Sequence, residues 1–228
     1  IVAAGEEAKG EQEERGTSHG AQSTPEKDDT TASMTSARFA RCFFRTTDVA
    51  AARAFYRAVL GHEADGIVEL PAAAVARGAR PHWLDVIDVS ARGTTEEVAD
   101  RFIAAGATRL GPPGASEPVV VRDPGGVMVA LGGTGAPSSV EIGWRQLTTA
   151  DAPRAARLYA EICGWSIGDE VDLGAVGRSR PIVWAPGEAS RAGITAIEDR
   201  PELHANWLSF FVVPSMEKAI REIVARGG

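Results

Sequence analysis

The chain has 228 residues, a formal net charge of −7 and 44% hydrophobic content, which sets one or two domains with a real core. The charge is uneven, because residues 1–36 hold eight acids against three bases and the remainder is close to neutral. That remainder carries no basic face and no aromatic–basic groove, which argues against a nucleic-acid partner. The longest strongly apolar run, Trp207–Val213, is far too short to span a bilayer, and no secretory signal is visible at the start. Cys42 falls on an expected strand and Cys163 at an expected helix end. Without a CxxC pair or a framework spacing they read as reduced, buried thiols in a cytoplasmic protein.

In chain order, residues 1–36 are Glu, Gly, Ser, Thr and Gln with almost no large apolar side chain, a composition expected to stay disordered. Met34 is a candidate natural start, with the acidic tail as upstream sequence. Phe39–Arg45 then predicts a strand, and Asp48 to Gly61 a helix. Asp48 is placed to cap that helix, Val49, Ala52, Phe55, Tyr56, Val59 and Leu60 form its apolar stripe, and Gly61 ends it. His62–Leu70 and Ala72–Arg77 are expected as two short strands joined near Pro71. A strand from Pro81 to about Val89 follows, then a helix over Thr94–Ala105 with Val98, Phe102 and Ile103 on one face. Thr108–Leu110, Pro118–Arg122 and Val127–Leu131 read as strands, the last two joined by the turn Asp123-Pro124-Gly125-Gly126.

Residues 133–139, rich in Gly, Pro and Ser, form a linker, after which the pattern restarts. Thr148-Thr149 and Asp151 repeat Thr46-Thr47-Asp48. In both copies a Tyr lies eight residues after the Asp and a Gly thirteen after it. Strands are expected at Trp165–Glu170, Pro181–Trp184 and Ala192–Ile197. Asn206-Trp207-Leu208 echoes His82-Trp83-Leu84, and a last helix spans Ser215–Arg226. The expected division is a tail (1–36), a complete domain of two βαβββ modules (37–132), a linker (133–139) and a second domain (140–228). That second domain lacks closing strands, as in a C-terminally truncated chain, which leaves homodimerisation or strand exchange open.

The segments TTDVAAARAFYRAVLG, VRDPGGVMVAL and TTADAPRAARLYAEICGW resemble the vicinal oxygen chelate superfamily, the group of glyoxalase I, bleomycin-resistance proteins and extradiol dioxygenases. The resemblance covers roughly residues 38–228 and is closest to the tandem glyoxalase-like subgroup. It implies an α+β fold, with tandem βαβββ modules forming curved mixed sheets around a small-molecule pocket. In metal-using relatives a His commonly lies seven residues before the helix-capping Asp. Those positions are Arg41 and Trp144 here, and the carboxylate after the DPxG turn falls at Ala130. His82 is present, but the expected ligand position lies closer to Trp83. Arg, Trp and Ala do not coordinate a divalent cation in this role, so no metal ligand and no cofactor is expected.

The residues expected to line a ligand pocket are Arg41, His82, Trp83, Asp85 and Trp144. His82 is the best-placed histidine, although a lone strand-end His is more often structural. Asp85 either pairs with Arg41 as an anchor for a polar ligand or faces water. Trp144 stands where a metal ligand would, as an apolar wall, whereas Trp165 and Trp207 read as core. No HExxH, GxSxG or phosphate-cradling motif occurs, so no catalytic residue is assigned. Two functions remain open. One is metal-free binding of a small molecule, as in sequestration or resistance proteins. The other is a metal-dependent lyase, isomerase or dioxygenase of the same superfamily.

Overall fold

The computed structural model describes residues 2–3, 36–111, 118–133, 135, 138–174, 177–185, 187–198, 200 and 202–228. The first half contains β1 (Val2–Ala3), β2 (Arg38–Thr46), α1 (Val49–Leu60), β3 (Ile67–Glu69), α2 (Ala72–Val75), β4 (His82–Asp88), α3 (Thr95–Ala104), β5 (Thr108–Arg109), β6 (Val119–Arg122) and β7 (Met128–Gly132). The second contains β8 (Ile142–Thr149), α4 (Ala152–Cys163), β9 (Ser166–Ile167), β10 (Val171–Asp172), β11 (Arg178–Val183), β12 (Ala192–Ala196), β13 (Asn206–Val213) and α5 (Met216–Ala225).

The duplicated helix has the same ends in both copies. Asp48 accepts from the Ala51 N–H at 2.9 Å, and Asp151 accepts from the Arg154 N–H at 2.9 Å. Each carboxylate meets an N–H group that lacks a partner inside the helix. Both helices stop on a left-handed glycine, Gly61 at φ 82° and Gly164 at φ 73°, a conformation that costs other residues steric strain. α3 begins with a reciprocal capping box between Thr94 and Glu97.

These elements build two curved mixed sheets, ordered β3-β2-β4-β7-β6-β5 and β1-β13-β8-β12-β11-β10, with β9 also on β11. In β4-α3-β5-β6-β7 the first and last strands lie side by side in parallel, and the intervening strands add antiparallel. The β8-α4-β9-β11-β12 stretch repeats this, with β12 parallel to β8. β2-α1-β3 is a shorter relative, and β2 runs antiparallel to β4 as β13 does to β8.

Two expectations are corrected. Residues 72–77 do not form a strand, because α2 occupies Ala72–Val75. An alanine run favours helix, and Pro71 at the N-cap has its φ fixed and no N–H to leave unpaired. The tail is also not wholly without structure, since Val2–Ala3 pairs in parallel with Val212–Val213. Ser36 is buried, and its hydroxyl donates to the Trp184 carbonyl. Residues 1 and 4–35 lie outside the described residues, as do parts of the linker.

Strand alternation divides each sheet into an inner and an outer face. The inner faces meet. Ile87, Val89 and Phe102 from the first sheet and α3 join Leu147, Tyr159, Trp165, Ile182, Ile194 and Trp207 in one core. A second cluster, including Leu60, Ile67, Val213 and Ala219, lies around α1 and α5. Leu84, Val86 and Ala130 form a separate cluster on the outer face of the first sheet. Among the described residues no helix is long and apolar enough to cross a membrane, and Cys42 and Cys163 are both free and buried.

Candidate functional site

The five residues expected to line one pocket are distributed over three surfaces. Arg41 and His82 fall on the outer face of the first sheet, where Arg41 pairs with Val86, and Arg45 with His82. The Arg41 guanidinium lies 5.6 Å from the Phe43 ring centroid. A Cβ added to Gly135 would meet Arg41 Cζ at 2.5 Å, so the backbone after β7 closes directly over this side chain. Arg41 Nε is buried without a hydrogen-bond partner among the described residues. His82 Nδ1 lies 2.6 Å from the Arg80 carbonyl, which requires the proton on Nδ1 and ties the ring to its own loop.

Trp83 and Asp85 point the other way, to the inner face. Trp83 donates to Tyr56 Oη at 2.8 Å and packs against Phe44, Tyr56 and Phe211. It therefore joins α1 to β13 instead of lining a pocket. Asp85 is 4% exposed and is not beside Arg41. It accepts from Arg145 Nε at 3.0 Å and from Ser209 Oγ at 2.8 Å. Arg145 also stacks over Phe39, with Cζ 4.5 Å from the ring centroid. This ion pair links the two sheets. Beside it, burial first and Asp85 second push the Cys42 thiol up to about 12, so the group stays neutral.

Trp144 lies on the outer face of the second sheet, in a group that sequence reasoning missed. Trp144 Nε1 donates to Gln146 Oε1 at 2.9 Å. Gln146 Nε2 donates to Thr195 Oγ1 at 2.7 Å and to Ser179 Oγ at 3.3 Å. The strand register dictates this meeting, because Gln146 faces Gly193 across β8–β12 and Ser179 faces Thr195 across β11–β12. Gly193 leaves the room, since a Cβ there would stand 2.6 Å from Ser179 Oγ and 3.0 Å from Trp144 Cζ2. At one edge Thr148 Oγ1 contacts Asn206 Oδ1 at 2.9 Å, and Leu208 and Phe210 of β13 sit opposite Gln146 and Trp144.

The direction of these bonds has a chemical consequence. A carboxamide nitrogen only donates, so the Thr195 and Ser179 oxygens accept from Gln146. Their own hydroxyl protons are left to donate elsewhere. A ligand oxygen bearing a lone pair is the natural complement. The one sequence signal for this group is the alternation Trp144-Gln146-Thr148 along β8.

A divalent cation does not suit either outer face. The first presents Arg41, Phe43, Leu84, Val86 and Ala130, and the second presents Trp144, Gln146, Ser179, Thr195, Leu208 and Phe210. The first face adds one imidazole, His82, whose Nδ1 is taken by the Arg80 carbonyl, and neither face supplies the set of imidazole, carboxylate or thiolate groups that holds such an ion. Among the described residues no group of three or more His, Cys, Asp or Glu side chains is placed to bind one.

The same arrangement of curved mixed sheets recurs in solved structures of dioxygenases and a synthase. The 2,3-dioxygenase LapB from Pseudomonas sp. KL28 superposes with TM-score 0.52 at 14% identity, over 83% of this chain and 79% of that one. The 2,2',3-trihydroxybiphenyl 1,2-dioxygenase from Sphingomonas wittichii strain RW1 gives 0.51 at 11% identity, over 84% and 79%. A variant of 4-hydroxymandelate synthase from Streptomyces coelicolor gives 0.51 at 12% identity, over 84% and 75%. No family model matches the sequence, and no curated protein matches it. At these identities the likeness is one of fold.

Proposed function

We propose that the outer face of the second sheet binds a small hydroxylated aromatic molecule without a metal ion, in the manner of a sequestration or resistance protein. The observation that carries this reading is the chain of bonds Trp144→Gln146→Thr195/Ser179, which leaves two hydroxyl protons uncommitted on the face that holds an indole ring. Trp144 and Phe210, facing across β8–β13, supply flat apolar surface, and the hydroxyls fix orientation through the ligand's oxygen. The aromatic class follows the names of the structural neighbours, a trihydroxybiphenyl dioxygenase and a 4-hydroxymandelate synthase. Those names equally favour a second reading, metal-dependent oxygen chemistry.

Catechol separates the two. Metal-free binding raises the melting temperature equally with and without a chelator, because ligand that binds only the folded state stabilises it. At a hundredfold excess over Kd the gain is about 2.7 kcal/mol, or roughly 5–10 °C for a chain of this size. Thr195→Val abolishes that shift. Near-stoichiometric divalent metal in the purified protein, with catechol turnover lost on chelation, would overturn the proposal in favour of the second reading.

A further inference from the structure

A separate cleft lies between α4 and the β9–β11 pair, on the helix side of the second sheet. It has a volume of about 370 Å³ and is lined by Pro153, Ala156, Arg157, Ala160, Ile167 and Arg180. The size is within the range of small-molecule sites, roughly 300–1,000 Å³. Its composition is unusual. Four of the lining side chains are apolar, and both others are arginines.

Arg180 is incompletely paired. Its Nε is buried and has no hydrogen-bond partner among the described residues. Its Nη2 lies 3.6 Å from Glu170 Oε2, too long for a good hydrogen bond. The other oxygen of Glu170 is held by Arg178 at 3.1 Å. One carboxylate is thus shared between two guanidinium groups, and the Nε edge of Arg180 is left without an acceptor. Arg157 makes no ion pair among the described residues and borders the same cleft from the helix. A shielded N–H donor without a partner is costly, and an entering acceptor relieves that cost.

We infer that this cleft binds a small organic carboxylate. The carboxylate would take the fork of Arg180 and the charge of Arg157, and its hydrocarbon part would lie on Ala156, Ala160 and Ile167. Two parallel bonds from a guanidinium suit a planar carboxylate. The apolar side chains of the lining add contact area that an inorganic phosphate could not use. This site is independent of the proposed face around Gln146.

The test is titration of the full chain with benzoate, followed by calorimetry, with inorganic phosphate as the comparison anion. Saturable benzoate binding is expected, with weaker phosphate binding. Arg180→Gln weakens benzoate at least about tenfold, and Arg180→Lys does not restore it, because an ammonium lacks the planar fork. Arg157→Gln, on the exposed helix surface, weakens it without touching the strand and covers the case in which Arg180 variants fold poorly. Thr195→Val leaves benzoate binding intact. The inference is overturned by no binding at tens of millimolar benzoate, by equal or tighter binding of phosphate, or by unchanged affinity in folded Arg157→Gln and Arg180→Gln proteins.

Discussion

Asp85→Ala is the most direct probe of how the two sheets are joined. Asp85 and Arg145 are 4% and 9% exposed, and the carboxylate spends one oxygen on Arg145 Nε and the other on Ser209. Removing the carboxylate leaves a guanidinium buried between the sheets with its charge uncompensated, its remaining support being the face of Phe39. Breaking a buried pair from one side costs about 3–5 kcal/mol. For a chain of this length that is roughly 6–20 °C of melting temperature, at about 2–4 °C per kcal/mol. The pair itself is worth much less than that figure, because both charges were desolvated to form it. Asp85→Leu combined with Arg145→Met is therefore expected to recover most of the loss, giving strong non-additivity in a double-mutant cycle. Urea unfolding of Asp85→Leu, Arg145→Met and the double variant measures this, with Asp85→Ala alongside. A single-variant cost below about 1 kcal/mol, the level of an exposed ion pair, would refute the reasoning. So would simple additivity of the two changes.

Gly193→Ala should close the gap beside Gln146, since the new methyl would meet Ser179 Oγ at 2.6 Å. Overpacking of this kind costs about 1–3 kcal/mol. Catechol titration and thermal melts should therefore both weaken, and an unaffected variant would show that the relay does not depend on this position. Tyr159→Phe removes the donor to Asp123 Oδ2 at 3.0 Å and leaves two buried polar groups short of a partner, a loss of about 1–3 kcal/mol in urea unfolding. Burial already holds the Asp123 carboxyl above its usual range, so the native state retains a proton that the unfolded chain has released, and stability from this source falls as pH rises through that range. The Tyr159 hydroxyl opposes that shift, and the variant's deficit should grow from acid to neutral pH. Burial pushes both thiols up to about 12 from 9.0. Above pH 9 the unfolded chain loses thiol protons that the folded chain keeps. Stability should then decline by up to about 1.4 kcal/mol per thiol per pH unit, a slope that Cys42→Ala with Cys163→Ala flattens.

The duplicated helix was legible because its ends are local chemistry. Asp48 and Asp151 reach N–H groups three residues away, and Gly61 and Gly164 take up a conformation set by their own backbone. The side chains of β4 were not legible in the same way. Leu84, Asp85, Val86 and Ile87 are all buried, so both faces of the strand are covered and alternation gives no sign of which face meets which neighbour. Sequence alone leaves Asp85 either beside Arg41 or facing water, and it does neither. The register puts them on opposite faces, and the true partner, Arg145, lies sixty residues on, in the other sheet. Gln146, Ser179 and Thr195 were missed for a different reason. Each is an ordinary neutral side chain, and only the register of β8, β12 and β11 makes them a group.

The relay around Gln146 is built from an indole, a carboxamide and two alcohols, none of which gains or loses a proton in the range where proteins are handled. A guest held there would meet the same host in mild acid and mild base. Any change of affinity across that range would belong to the guest, whose own phenol or acid group would be the part that titrates.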